Sequence, residues 1–306
     1  MAARLYCPVP MHSGMEIVLP AHAARHAQVL RLQPGDAVEL FHGGLMALQT
    51  QSVATQRLAA SVNVDAEALH INRAATHEAD AVDRAESASH TTGWFAATIS
   101  HMGRSEVRAH LGDWHAPLPV SGVQAHIVCG VPANERMDWL VEKATELGAA
   151  SIQPVLTARS VVRLSGERAQ KRVAHWQAIA VAACEQSGRT VVPPVLPLVD
   201  LRQFWAQDTQ AANAQRWLLS LHAKSATFRA ALVAIHDHNH GNTLADNGNG
   251  NRPMIWLLSG PEGGLITEEE NAAIIQGWQP VSLGAYTLRA ETAPLAVLAA
   301  LGLAAG

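Results

Sequence analysis

The stretch LLSGPEGGLITEEE (residues 257–270) joins an apolar run to an acidic one through a proline and three glycines. MIWLLS before the loop reads as a buried strand and TEEENAAIIQG after it as a helix. The glycines therefore fall at the carboxyl end of a strand, where an open parallel sheet keeps its ligand crevice. Thr267 with Glu270 three residues on has the pattern of a capping box, with Thr267 as the N-cap. Gly260, Gly263 and Gly264 can adopt positive φ and let a flat ligand lie against exposed amides and carbonyls. Composition alone leaves a plain turn open, because Gly-Pro and Gly-Gly punctuate many loops. Nucleotide-binding loops fit poorly. A phosphate-cradling loop needs G-K-[ST] at the helix start, where this chain has Leu265, Ile266 and Thr267. The dinucleotide pattern G-x-G-x-x-G is absent, and Glu262 would repel a pyrophosphate. An uncharged or cationic ligand suits the loop better.

Outward from this loop, apolar strand runs alternate with helical patterns from about Gln124 to the end of the chain. AHIVCGVP is a buried-type strand. The helix after it places Met137, Leu140, Val141, Ala144 and Leu147 on one face and closes at Gly148. SIQPVL is a strand, and the next helix turns Val173, Trp176, Ile179, Ala180 and Ala183 to one side. RWLLSL, SATFRAALVAI, MIWLLS, TEEENAAIIQG and VSLG continue the alternation. The pattern predicts an α/β domain with a mostly parallel sheet covered by helices on both faces.

The amino-terminal third has a different texture. RLQPGDAVELFHGG and GWFAATISHMGRSEVRAHLGDW alternate around turns, which predicts hairpins of a small β-barrel, with a domain boundary near residue 118. Residues 45–92 are alanine-rich and polar and read as an insertion; residues 236–252 are rich in Asn, Gly and Asp and read as an exposed loop. The histidines of that loop have no spacing that makes an ordered ligand set, so no metal site is expected. The formal charge of −4 confines any RNA contact to a local patch. The three cysteines lie far apart in an odd number, as reduced thiols do. No apolar run reaches the roughly 20 residues of a membrane span, and the amino terminus lacks the pattern of a secretory signal. The expected setting is the cytoplasm, away from any membrane.

A second constellation is VSLGAYTLRAETAPLAVLAAL (residues 281–301). A strand ends near Gly284, an irregular turn follows, and Arg289 and Glu291 stand just before a helix carrying Pro294 near its first turn. These two charges are free to pair with each other, with solvent or with a ligand. The helix is apolar nearly all round, which predicts burial on more than one side, as in a subunit interface.

LLSGPEGGLITEEE and VSLGAYTLRAETA, together with ERMDWLVEKATELGAASIQPVLTARSVV and WQAIAVAACEQSGR, resemble the ribosomal RNA small-subunit methyltransferase E family of the SPOUT class. RHAQVLRLQPGDAVELFHGG and GWFAATISHMGRSEV are similar to that family's PUA-like barrel. The likeness covers the chain apart from residues 45–92 and 236–252. It implies a PUA-like barrel over 1–118, a SPOUT domain over 119–306 with a carboxyl-terminal trefoil knot, and a homodimer. It further implies S-adenosyl-L-methionine as cofactor and N3 of one uridine in small-subunit (16S) rRNA as the methyl acceptor, with the assembled 30S subunit as the expected substrate.

Carried over residue by residue, the resemblance assigns cofactor contacts to Leu221, Ser259, Gly260, Pro261, Glu262, Gly263, Gly264, Leu283, Gly284 and Leu288. Arg289 is the expected electrostatic catalyst, with Glu291 orienting it or relaying a proton. Arg4, Arg25, His26, Arg31 and Arg159 are the candidates for RNA contact. GAYTLRAETA departs from the family pattern ahead of its Leu-Arg pair, so Ala285, Tyr286 and Thr287 are the positions where ligand contact is expected to differ. A noncatalytic RNA-binding protein that retains the fold is the alternative.

Overall fold

The computed structural model describes residues 2–44, 92–117, 122–133, 135–206, 214–222, 224–238 and 252–305. The chain divides into two compact units, Met1–Leu118 with Cys184–Val192, and Pro119–Ala183 with Pro193–Gly306. Residues 45–91 and 239–251, which hold most of the expected insertion and loop, lie outside the described residues.

In the first unit, β1 (Ala3–Tyr6), β2 (Glu16–Val18), β3 (Ala37–Phe41), β4 (Trp94–Met102) and β5 (Val107–His115) form one sheet in the order β1-β3-β4-β5-β2. The β4–β5 hairpin turns at Gly103, whose N–H donates to the Glu106 carbonyl at 2.8 Å, as the alternation predicts. Phe95, Ala97 and Ile99 of β4 alternate inward with Val107, Ala109 and Leu111 of β5. They bury against Leu5, Leu40 and the inner face of α1 (Ala21–Val29), Ala23 and Ala27. No ladder joins β1 to β2 among the described residues. Helix α1 has no clear signal in the sequence, since it lacks a side-chain cap and a glycine stop. It ends in a Schellman motif with Arg31 at φ 57°, a position that most residues other than glycine avoid.

The second unit is a seven-stranded, all-parallel sheet. In chain order it comprises β6 (Gln124–Gly130), α2 (Arg136–Glu146), β7 (Ser151–Leu156), α3 (Gly166–Ser187), β8 (Val199–Asp200) and α4 (Leu201–Ala206). Then follow β9 (Gln215–Leu219), β10 (Ala226–Thr227), α5 (Phe228–His238), β11 (Met254–Ser259), α6 (Thr267–Ile275), β12 (Gln279–Ser282) and α7 (Thr292–Ala305). The strand order is β10-β12-β9-β11-β6-β7-β8. The chain first steps outward from β6 to β7 and β8, then crosses to β9, and only later lays β11 into the gap between β9 and β6. A strand flanked on both sides and covered on both faces must be apolar throughout, which is why MIWLLS shows no alternation.

Met137, Leu140, Val141 and Ala144 bury as the periodicity predicts, and Gly148 closes α2 with positive φ. Leu147 is a correction: as the C-cap it sits one step beyond the helical stripe and is 40% exposed. Trp176 anchors α3 on α2 by donating its indole N–H to Asp138 at 3.0 Å. Residues 236–238, expected in a loop, continue α5.

Near the amino ends of the central strands, Trp256, His126 and Ser151 are register neighbours across β11, β6 and β7. The His126 ring stacks on Trp256 at 4.5 Å between centroids and its Nδ1 lies 2.7 Å from Ser151 Oγ. Burial drives its pKa from 6.5 down to about 4. The native state therefore holds this ring neutral where the unfolded chain protonates it. The stability it contributes is complete above the unfolded value and is lost progressively as pH falls through the folded one, a difference of up to about 3 kcal/mol. Replacing His126 with Phe keeps the stack and removes the titration. Denaturation from pH 7.5 down to 4 is expected to show wild type losing ground to His126→Phe across that window. A gap between the two proteins that does not vary with pH would remove His126 as the cause.

Candidate active site

Three neighbouring strands, β12, β9 and β11, end at one level, with Val281 paired to Leu219 and Leu258 to Leu218. Beyond them lie Ser220 and Leu221, the glycine loop, and the turn over 283–291. These segments enclose a cavity of about 570 Å³, within the range of roughly 300–1,000 Å³ usual for small-molecule sites.

The glycine loop is held by its own main chain. A Cβ on Gly260 would lie 2.7 Å from both Gly264 C and Leu265 N, and one on Gly130, at the end of β6, would lie 2.5 Å from Pro261 Cδ. The Gly264 N–H donates to the Pro261 carbonyl at 2.8 Å and closes the turn. Of the three loop glycines only Gly264 takes positive φ, 70°, with open space over its α-carbon. Gly260 and Gly263 do not use the freedom that glycine gives them. Gly260 is bare because the loop folds back on it, and Gly263 because the stem of Arg159 packs there, 3.2 Å from where a Cβ would stand.

The cap is corrected too. Ile266, not Thr267, is the N-cap of α6. Glu269 rather than Glu270 reaches back, accepting the Ile266 N–H at 3.1 Å and the Ala158 N–H at 2.7 Å. An isoleucine side chain returns no hydrogen bond, so only half of a capping box is made. Glu270 is left to line the cavity, where Ser220 Oγ donates to it at 3.4 Å.

The charges of the wall are paired unevenly. Glu262 accepts from the Ala133 N–H and from Arg136 Nη1, both at 2.8 Å. Burial pushes the Glu262 carboxyl upward, but hydrogen bonds from its own amide and Ala133, with the Arg136 guanidinium, outweigh this and hold it below the ordinary carboxylate range. Glu262 is thus turned to a cation rather than left to repel an anion. Arg159 Nη1 donates to the Gly263 carbonyl at 2.6 Å and makes a longer contact with that of Leu265, 3.4 Å. Arg289 lines the cavity with no ion pair among the described residues, and its carbonyl accepts the N–H groups of Thr292 and Ala293 at the start of α7. Ser259 Oγ, buried at the end of β11, has no hydrogen-bond partner among the described residues.

Leu221, Ser259, Gly260, Pro261, Glu262, Gly263, Gly264, Leu283, Leu288 and Arg289 all come together on this wall. Gly284 does not line it; with φ 122° it turns the chain so that Tyr286, Thr287 and Leu288 do. Glu291 is also displaced from its expected place. It is 6% exposed, lies behind the wall, and faces Arg136 at 3.9 Å instead of orienting Arg289. Arg136, Ser220 and Glu270 went unassigned in the sequence. Arg136 lies in the stretch ERMDWLVEKATELG but is given no role there, and Glu270 is masked by two neighbouring glutamates.

The RNA candidates of the first unit divide. Arg4 is turned inward, its side chain 11% exposed in an ion pair with Glu39, its register partner on β3. His26 lies 3.0 Å from Glu185. Each has an acidic partner that distance along the chain conceals. Arg25 and Arg31 are exposed.

Comparison with known proteins places this site in context. The RNA methyltransferase domain family matches residues 119–302. A ribosomal RNA small subunit methyltransferase E from Bacillus subtilis is 31% identical over 203 residues, 66% of this chain and 75% of that protein. Its counterpart from Synechocystis is 33% identical over 184 residues, 60% of this chain, which spans about half (52%) of that relative. The solved structure of a ribosomal RNA small subunit methyltransferase E from Neisseria gonorrhoeae bound to S-adenosyl methionine aligns with a TM-score of 0.71 at 28% identity, covering 98% of this chain and 97% of that one.

The two ends of the glycine loop should respond differently to one added methyl. Gly264→Ala meets no atom and pays only for its left-handed backbone, about 1–2 kcal/mol. Gly260→Ala must open the loop and is expected to cost more than that, at least about 3 kcal/mol. Chemical denaturation of both variants measures the order; equal losses would mean that the close approach at Gly260 does not constrain the loop.

Proposed function

Because the chain belongs to the ribosomal RNA small subunit methyltransferase E family, we propose that this cavity binds S-adenosylmethionine and that the enzyme methylates N3 of one uridine in 16S rRNA. The observation that carries the reading is the bare shelf at Gly264 and the buried Ser259 hydroxyl, which has no partner among the described residues, in a cavity where Arg136 and Arg159 are already engaged by Glu262 and by main-chain carbonyls. A nucleoside that has no phosphate and carries a positive charge fits such a wall. Gly260, Pro261, Gly263 and Gly264 offer main-chain groups, Leu221, Leu283 and Leu288 offer apolar surface, and Glu270 is a lining carboxylate of opposite sign to the cofactor's charge. When bound, the cofactor supplies an electrophilic methyl group on a sulfonium.

The chain itself must hold the base in line and manage its proton. Uracil N3 becomes nucleophilic as its N–H is lost, and negative charge then spreads onto the flanking carbonyl oxygens. Arg289, facing the cavity with no carboxylate partner among the described residues, is the group whose charge is available to stabilise that anion. Glu291 acts from behind the wall, and its role is to hold position rather than to touch the base.

The same reading extends to the whole chain. Residues 1–118 form a PUA-like barrel that holds RNA, with Arg25 and Arg31 as its outward basic groups. Residues 119–306 form a SPOUT domain with a trefoil knot, acting as a homodimer on the 30S subunit in the cytoplasm. Support for the dimer comes from α7, which has no charged side chain and leaves Leu303 85% exposed. Support for an assembled substrate comes from the net charge of −4, which favours few phosphate contacts.

Incubating purified 30S subunits with the protein and S-adenosylmethionine, then digesting the 16S rRNA for nucleoside mass spectrometry, tests this reading. One added N3-methyluridine per rRNA is expected, with turnover reduced about 10²–10³-fold by Arg289→Ala. A protein that binds the cofactor yet leaves every uridine unmodified would be the noncatalytic RNA-binding alternative.

A further inference from the structure

Arg136, the first residue of α2, faces carboxylates on two walls of the cavity. Its Nη1 donates to Glu262 Oε1 in the glycine loop at 2.8 Å, and its Nε lies 3.9 Å from Glu291 Oε1 in the segment that leads into α7. The two carboxylates differ. Glu262 is on the surface and keeps a second donor, the Ala133 N–H. Glu291 is 6% exposed, its Oε2 has no partner among the described residues, and Arg136 is the one cation it faces among them. A guanidinium has five donors in a rigid planar fork and serves two carboxylates at once, which an ammonium on a flexible stem does less well.

We infer that Arg136 is a positioning residue that pins the glycine loop to the 283–291 turn through Glu262 and Glu291, and so sets the width of the cofactor cavity. The inference rests on the cofactor reading above. Without the guanidinium, Glu262 retains one tether, but Glu291 becomes a buried carboxylate with no counter-charge. It must then swing outward or take up a proton. Either response moves the residues beside it, where Thr287, Leu288, Arg289 and Ala290 line the cavity and the Arg289 carbonyl receives the first N–H groups of α7.

The test is a double-mutant cycle on the full chain with Arg136→Met, Glu291→Gln and the pair combined, with Arg136→Lys as the conservative variant. Calorimetry with S-adenosylmethionine is expected to show Arg136→Met weakening binding about tenfold or more. Arg136→Lys should recover part of the loss. Glu291→Gln is expected to weaken binding as well, and the combined variant to be about as weak as Arg136→Met alone, because both substitutions remove the same tether. Thermal melting of the four proteins without ligand should show the same non-additive pattern. Wild-type affinity in Arg136→Met, or a double variant as weak as the product of the single effects, overturns the inference. A wild type that does not bind S-adenosylmethionine overturns the cofactor reading instead, and the melting cycle then decides the pin by itself: additive shifts sink it and coupled shifts keep it.

Discussion

The approach of the Gly260 α-carbon to the main chain of Gly264 and Leu265 is the contact on which the site depends. The loop leaves β11, is laid over Gly130 at the end of β6, and turns back on itself so tightly that a methyl group has no room. Folding back aims Gly264 at open space and brings Leu265 down into the core, where it is 8% exposed. It also places the first turn of α6 beside the end of β9, so that Glu270 reaches Ser220. Glycine serves two purposes in this loop. At Gly260 it permits the loop to exist, and at Gly264 it leaves main chain accessible. Only the second concerns a ligand.

How an acidic loop shares one wall with Arg136 and Arg159 follows from their partners. Arg136 is matched by Glu262, and Arg159 is held by two main-chain carbonyls. The loop's negative charge is therefore neutralised locally, and its amides are not opposed by the neighbouring carboxylate. Such exposed pairs are worth little in stability, about 0–1 kcal/mol. Their value here is geometric, since each ties the loop to a different element: Glu262 to the start of α2, Gly263 to the segment after β7.

The fold of the second unit was legible because its strands and helices have opposite and strong periodicities. MIWLLS and AHIVCGVP leave no choice but burial on both faces, and the stripe from Met137 to Ala144 needs only helical geometry. What escaped was of another kind. Glu39 is 35 residues from Arg4 and Glu185 is 159 from His26, so neither partner can be anticipated from local pattern. Once register places Arg4 opposite Glu39, the arginine turns from a surface candidate into a partly buried ion pair. The recruitment of Cys184–Val192 to the first unit has no compositional marker either. In the site, local pattern located the loop and the Arg289 segment but assigned the wrong reasons to Gly260, Gly263 and Thr267, because hydrogen-bond partners such as Ala158 and Ala133 come from strand ends distant in sequence.

These misassignments share a physical origin that bears on how the site works. A parallel sheet delivers loops from remote parts of the chain to one edge, and the residues that fix one loop are supplied by another. Glu269 holds the segment after β7, Arg159 returns from that segment to the glycine loop, and Arg136 reaches from α2 to the same loop and toward the entrance of α7. Each wall is thus positioned by a side chain that belongs to a different wall. A cavity built this way has few side chains devoted to its ligand and many devoted to its neighbours, which suits a reaction whose rate comes chiefly from holding two reactants in line. It also explains why the most informative residue is one whose role local pattern does not reveal: Arg136 sits where two loops must agree.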